Sequence, residues 1–139
     1  MGWIGSQTQF VTDPLRRWHR GRAVLMGDSA HAMLPHHGQG ADTTNEDAVT
    51  LAARLAADGA RDLDGTMRRY QWLRQARTRT IQRSAWATNR LLHRPDSVRP
   101  AALARRDARM ARFPEDFGWI HAFDATGTVD RALSDPRAA

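Results

Sequence analysis

The sequence predicts an α/β fragment, mostly helical: one short strand ending in Gly-Asp, a glycine-rich loop, then two or three helices. Three observations lead there. The short apolar run Ala23-Val24-Leu25-Met26, closed by Gly27-Asp28, reads as a buried strand that stops in a tight turn. Pro35, Gly38 and Gly40 punctuate the stretch that follows, as in a loop. Beyond Gly40 the apolar residues recur at helical rather than alternating intervals.

The elements follow in order. Residues 1–14 are polar and mixed, without a clear period. Over residues 41–57, Ala41, Ala48, Leu51, Ala52, Leu55 and Ala56 fall on one side of a helix, and Glu46, Thr50 and Arg54 fall opposite. Asp42, Glu46 and Asp47 sit towards its start, where the helix dipole favours negative charge, and Gly59 stops it. Asp64 caps a longer helix that runs to about Leu92. Met67, Tyr70, Ile81, Ala85 and Leu92 share one face of it, with Arg68, Arg69, Arg79, Arg83 and Arg90 on a wide opposite arc. Arg74 and Arg77 project beside the apolar face instead, so they are expected to pair with carboxylates or backbone carbonyls. Trp72 and Trp86 lie on the arginine-rich face, either stacked under guanidinium groups or turned to another domain or subunit. Pro95 and Pro100 interrupt the chain, residues 101–112 form a short third helix, and the aromatic stretch 113–123 packs on something. One strand cannot make a sheet, so the sequence reads as part of a larger α/β protein.

Composition narrows the function classes. Of the 139 residues 41% are apolar and 26% charged, ordinary values for a globular protein. No apolar run approaches the roughly 18 residues that a membrane span needs, and no signal peptide is evident. There is no cysteine, which excludes a disulfide framework and a thiolate metal site and fits a cytoplasmic protein. The net charge is +6, and all 21 basic residues are arginine. They are scattered rather than blocked into a tail, so nucleic acid is not the expected partner. His31, His36 and His37 lack the spacing of a metal site, and no carboxylate completes one.

Residues 21–57 carry the chemistry. Gly27 lets the chain turn sharply where ligands gather in open α/β sheets. Asp28 there either caps backbone N–H groups or accepts hydrogen bonds from a sugar-like hydroxyl. Gly38 and Gly40 allow close backbone approach before a helix N-terminus, whose free N–H groups favour negative charge. Pro35 stiffens the loop.

The combination of a strand, Gly27-Asp28, Ala30-His31, Pro35, Gly38-Gln39-Gly40 and Glu46-Asp47-Ala48 resembles the second flavin-binding motif of class A flavoprotein monooxygenases, the group of salicylate and para-hydroxybenzoate hydroxylases. The likeness extends more weakly over residues 14–125. It implies FAD as cofactor, NAD(P)H and O2 as co-substrates, and hydroxylation of a small aromatic substrate. It implies that Asp28 holds the ribityl chain, and that the backbone of Gly38, Gln39 and Gly40, running into Ala41, meets the flavin's N1/O2 edge. Gly27 shapes the turn, and Pro35 lines the flavin and substrate face. No GxGxxG unit for the ADP part occurs in the sequence. The expected organisation is therefore residues 1–14 as an N-terminal segment, 15–125 as the C-terminal part of an FAD-binding monooxygenase domain, and 126–139 as a flexible tail. A companion chain carrying the other half would complete the enzyme, and this chain alone would be inactive. The alternative is a non-catalytic basic module that binds nucleic acid or a partner protein.

Overall fold

The computed structural model describes residues 11–93 and 100–134. Two long helices dominate it. Helix α1 is a single turn (Asp28–His31), α2 spans Gly40–Asp58 and α3 spans Leu63–Leu92, with α4 (Pro100–Ala111), α5 (Phe113–His121) and α6 (Ala125–Ser134) following. Helix α2 opens at Gly40, within the glycine turn where the sequence placed it. The cap of α3 is Asp62 rather than Asp64: the Asp62 side chain accepts from the Gly65 amide at 2.9 Å, and Asp64 lies in the first turn. A short 3-10 link (Gly59–Asp62) follows α2, so α2 and α3 form a hairpin. Glu46 meets Arg77, Asp47 meets Arg74 and Asp58 meets Thr66, the shrinking separation of an antiparallel pair. Helix α6 is an addition to the expected order, since the region beyond residue 125 was assigned to a tail.

The strand is shorter and differently paired than expected. Only Ala23–Val24 is strand, and it pairs antiparallel with His19–Arg20 through a turn in which Gly21 has φ 56°. Ala23 is exposed and Val24 half-buried, so among the described residues this pair is a hairpin at the surface. Leu25 and Met26 continue beyond it towards Gly27, with the Leu25 amide bonded to the Trp18 carbonyl at 2.7 Å.

The apolar core is small. Trp18, Ala30 and Tyr70 meet at its centre, flanked by Leu15, Val24, Leu25 and Leu51. Along α3, Met67, Tyr70, Ile81 and Ala85 are buried on the expected face, while Leu92 is exposed. Three glutamines on α3 hold the incoming segment: Gln71 binds the Arg16 carbonyl, Gln75 that of Leu15 and Gln82 that of Thr12. These bonds satisfy backbone groups that would otherwise have no strand to pair with.

The largest departure concerns α2. Its amphipathic pattern leads one to expect the alanine and leucine side inside. Instead Thr43, Asp47, Thr50 and Arg54 are buried against α3, and Ala41, Ala48, Ala52, Leu55 and Ala56 are exposed, with Leu51 half-buried. The polar side is tolerable because each group finds a partner. Thr43 and Thr50 bond back to the carbonyls of Gln39 and Glu46 at 2.6 and 2.7 Å, and Arg54 pairs with Asp58 at 2.7 Å.

This inversion sets opposite costs for two leucine-class truncations. Ile81→Ala, at a site with no exposure, should lower unfolding stability by about 2–5 kcal/mol. Leu55→Ala, on the open side of α2, should stay within about 0.5 kcal/mol. Urea denaturation of both variants checks the assignment, and a large loss at Leu55 contradicts it.

Candidate functional site

The site is built around the end of the hairpin. Gly27 has φ 58° and ψ −139°, a conformation that side chains rarely adopt, and a Cβ there would lie 2.8 Å from Thr44 Oγ1. Glycine is therefore required twice, by torsion and by the close approach of α2. Thr44 in turn donates to the Gly40 carbonyl at 2.8 Å. The turn at Gly27-Asp28 is thus pressed directly onto the first turn of α2.

A buried carboxylate clamps this arrangement. Asp47, with no exposed surface, accepts from the Gly27 amide at 3.0 Å, from His31 Nε2 at 2.6 Å and from Arg74 Nε at 2.7 Å. Its donors come from the turn, from α1 and from α3. Burial pushes the Asp47 carboxyl up, but the bonds from His31, Arg74 and the Gly27 amide outweigh it and hold the group below its ordinary value. A carboxylate only accepts, so His31 Nε2 carries the proton it shares with Asp47. Burial, then the Asp47 charge, raises the neighbouring Tyr70 hydroxyl well above its usual value. That hydroxyl donates to the Leu25 carbonyl at 3.2 Å.

A second layer extends the clamp. Arg74 also reaches Glu46 at 2.7 Å, and Arg77 grips Glu46 with two bonds of 2.8 and 2.7 Å. Arg77 further donates to the Ile120 carbonyl at 2.8 Å and lies 3.8 Å from the Phe123 ring centre. Both arginines pair as their position beside the apolar face led one to expect. The aromatic stretch before α6 packs here, onto Arg77. Trp72 and Trp86 remain exposed, at 71% and 40%, and among the described residues no guanidinium stacks on them.

The expected site residues fall into two groups. Gly27, Asp28 and the α2 start at Gly40 and Ala41 are brought together through Thr44. Asp28 is exposed at the first position of α1, and its carboxylate has no hydrogen bond or ion pair among the described residues. It is therefore not a helix cap; the residue at the cap position is Gly27. The first backbone bond of α2 runs from Thr43 to Gln39 at 2.9 Å, which leaves the amides of Gly40, Ala41 and Asp42 without helical acceptors. A Cβ added at Gly38 or Gly40 would meet nothing within 4 Å, so packing within the chain does not explain either glycine. At Gly38 the φ of 65° does; at Gly40 a closely approaching ligand would.

Pro35 and Gln39 form the second group. Pro35 is exposed at the head of a 3-10 turn (Pro35–His37) that α3 pins through His36 to Asn89 at 2.8 Å and His37 to Ser84 at 3.0 Å. Burial lowers His37 below its ordinary value, with His36 and His121 adding to the effect and Ser84 opposing it, so its ring is neutral near pH 7. Gln39 is buried and its side chain turns to Asp42 and His121, leaving only its backbone for a ligand. The three histidines thus serve separate contacts, to Asp47, Asn89 and Ser84.

The sequence placed Asp47 in the Glu46-Asp47-Ala48 part of the motif and related it to the helix dipole, but did not show it as a buried clamp. Its signal was a polar stripe at helical spacing, Thr43, Asp47, Thr50 and Arg54, facing a helix that carries arginines three residues apart.

Asp28 thus stands without a hydrogen bond or ion pair among the described residues, near the N-terminus of a glycine-led helix, where free amides favour negative charge. A family model described as an FAD binding domain matches residues 6–85, more than half of the sequence, and the chain belongs to that family. It is 38% identical over 124 residues to a 3-amino-4-hydroxybenzoate 2-monooxygenase of Streptomyces platensis, covering 88% of this chain and 30% of that protein. It is 41% identical over 121 residues to a salicylate hydroxylase of Pseudomonas putida, covering 85% of this chain and 26% of the relative. A solved structure, a salicylate hydroxylase substrate complex, superposes with a TM-score of 0.71 at 29% identity, over 88% of this chain and 29% of the other. The chain thus spans under a third of the length of these relatives. They lend no support to a basic nucleic-acid-binding module.

Loss of the clamp should be costly. Asp47→Ala would leave Arg74 buried without one of its two carboxylate partners, and His31 without its acceptor, and should destabilise by about 3–5 kcal/mol. Because the folded Asp47 lies below its ordinary 3.8, its contribution is complete above that pH and is lost as pH falls through the folded value. Thermal melting at stepped pH checks both: the acid fall in stability should be shallower in Asp47→Asn than in the unsubstituted chain. An identical acid profile would refute the assignment.

Proposed function

We propose that the chain is the FAD-binding part of a flavoprotein monooxygenase that hydroxylates a small aromatic substrate with NAD(P)H and O2. The observation that carries this reading is the free Asp28 carboxylate, fixed beside the α2 N-terminus by the Gly27–Asp47 bond. Family membership and the names of the relatives support the chemistry. Asp28 accepts hydrogen bonds from the ribityl hydroxyls. The amides of Gly40 and Ala41, with the 38–40 backbone, meet the negative N1/O2 edge of the reduced isoalloxazine ring. Pro35 lines the face where the aromatic substrate lies. Bound FAD would supply the electron transfer and oxygen activation, while the protein orients and shields it.

The ADP half of the cofactor has no counterpart here, since no GxGxxG occurs in the sequence. A further polypeptide portion, on a companion chain or on an extension of this one, completes the enzyme. No helix among the described residues is long and apolar enough to cross a membrane.

Two measurements test this reading. Fluorescence titration of the 139-residue chain with FAD should show weak binding or none, because only one side of the cofactor is gripped. Tight stoichiometric binding would contradict it. In the completed enzyme, Asp28→Ala should weaken FAD retention about tenfold to a hundredfold, the equivalent of a charge-assisted hydrogen bond of roughly 1.5–3 kcal/mol. The melting temperature without FAD should barely move, as Asp28 is exposed. Unchanged affinity with a lowered melting temperature would mean that Asp28 serves the fold instead.

A further inference from the structure

Helix α3 and the segment that leads into the hairpin border a groove of about 540 Å³. That volume lies within the range of small-molecule sites. One wall is α3, through Arg83, Trp86 and Arg90, and the other is Thr12, Asp13 and Pro14. The two walls are tied to each other. Gln82 donates to the carbonyls of Thr12 and Ala32, both at 3.1 Å, and Gln75 and Arg79 donate to the Leu15 carbonyl at 2.7 and 3.3 Å. The groove is therefore set by the same bonds that hold the incoming segment on α3.

The groups along it have no internal use. Arg83, Trp86 and Arg90 lie within about 60° of one another at 100° per residue, with the two arginines about 10 Å apart along the helix and the indole between them. Helix α3 carries no acidic residue after Asp64. Among the described residues neither Arg83 nor Arg90 makes a hydrogen bond or an ion pair, and Asp13, the one carboxylate of the lining, pairs with neither. Trp86 is 40% exposed, and no guanidinium of the described residues lies over its ring. The Thr12 hydroxyl on the opposite wall is buried without a hydrogen-bond partner. Two free guanidinium groups, an open indole and an unpartnered hydroxyl thus line one groove.

We propose that this groove binds a small molecule that joins a flat aromatic ring to an anionic group. The ring stacks on Trp86, and the anionic group takes the planar forks of Arg83 and Arg90, which match carboxylate and phosphate oxygens in geometry. The two arginines outweigh Asp13, so the groove favours an anion over a neutral ligand or a cation. A bare anion would leave the indole unused and most of the volume to water. Aromatic acids, with one carboxylate, and nucleotides, with a base and phosphates, share the required chemistry. The inference is independent of the flavoprotein reading, because none of Gly27, Asp28, Gly40 and Ala41 lines the groove.

Isothermal titration calorimetry of the 139-residue chain with salicylate, adenosine diphosphate and inorganic phosphate tests the proposal. Salicylate or adenosine diphosphate should bind with a Kd below about 1 mM, and at least about tenfold more tightly than phosphate. Binding of adenosine diphosphate alone would make the ligand a nucleotide, and binding of salicylate alone an aromatic acid; each supports the groove. Replacing both arginines, Arg83→Gln with Arg90→Gln, should weaken binding at least about tenfold, and so should Trp86→Ala, while Trp86→Phe should keep most of it. All three residues are exposed, so the melting temperatures of the variants should match that of the unsubstituted chain. Arg68→Gln, exposed on the same helix but outside the groove, should leave binding unchanged. Neither aromatic probe binding up to about 1 mM overturns the proposal, as does phosphate binding as tightly as either of them. Binding that survives loss of both arginines, or that falls equally in Arg68→Gln, overturns it too, the latter by showing attraction to the net charge instead of to the groove.

Discussion

A carboxylate buried out of reach of water persists only when hydrogen bonds surround it. Asp47 meets that condition with three donors, and each comes from a different part of the chain: the Gly27 amide, His31 and Arg74. The order of the structure follows from this one requirement. The hairpin must end where Gly27 can reach α2, α1 must turn His31 inward, and α3 must lie with Arg74 beside Asp47. Satisfying Asp47 also presses Gly27 onto Thr44, which places Asp28 next to the start of α2. The placement of Asp28 beside α2 is thus a by-product of stabilising a charge that the fold cannot hydrate.

The same constraint explains the unusual core. The apolar cluster around Trp18 and Tyr70 is modest, and much of the α2–α3 contact consists of threonines and ion pairs. Such a contact gives directional restraint more than raw stability, because desolvation offsets much of the attraction between buried charges. Arg77 extends the restraint outward through Glu46, Ile120 and Phe123, tying the region before α6 to the first half of the chain.

What the sequence made legible was the local chemistry. Gly27 and Gly38, both with positive φ, stand where turns were read, and α2 opens at Gly40. The unusual placement of Arg74 and Arg77 correctly indicated carboxylate partners. Hydrophobic periodicity failed on α2 because it assumes that the apolar side faces the partners present in the chain. Thr43, Asp47, Thr50 and Arg54 are a buried stripe in which each side chain makes at least one bond that composition does not reveal. The strand was misjudged for a related reason. The run of residues 23–26 is apolar enough for an interior strand, yet only Ala23 and Val24 pair, and they do so with the preceding His19 and Arg20. Trp18 escaped notice as a core residue because its partners, His31 and Tyr70, lie far along the sequence.

Hydrogen exchange at the Gly27 amide tests the central claim most directly. Gly27 lies in a turn just beyond a two-residue strand, where an ordinary amide would exchange rapidly. Bonded to a buried carboxylate, it should instead exchange only through openings that also break the Asp47 clamp, with protection close to that of the α3 amides near Arg74. The amides of Gly40 and Ala41, which have no helical acceptor, should exchange fast in the same experiment. A Gly27 amide that exchanges as quickly as theirs would show that Asp47 does not hold the turn, and the account of the site would fail with it.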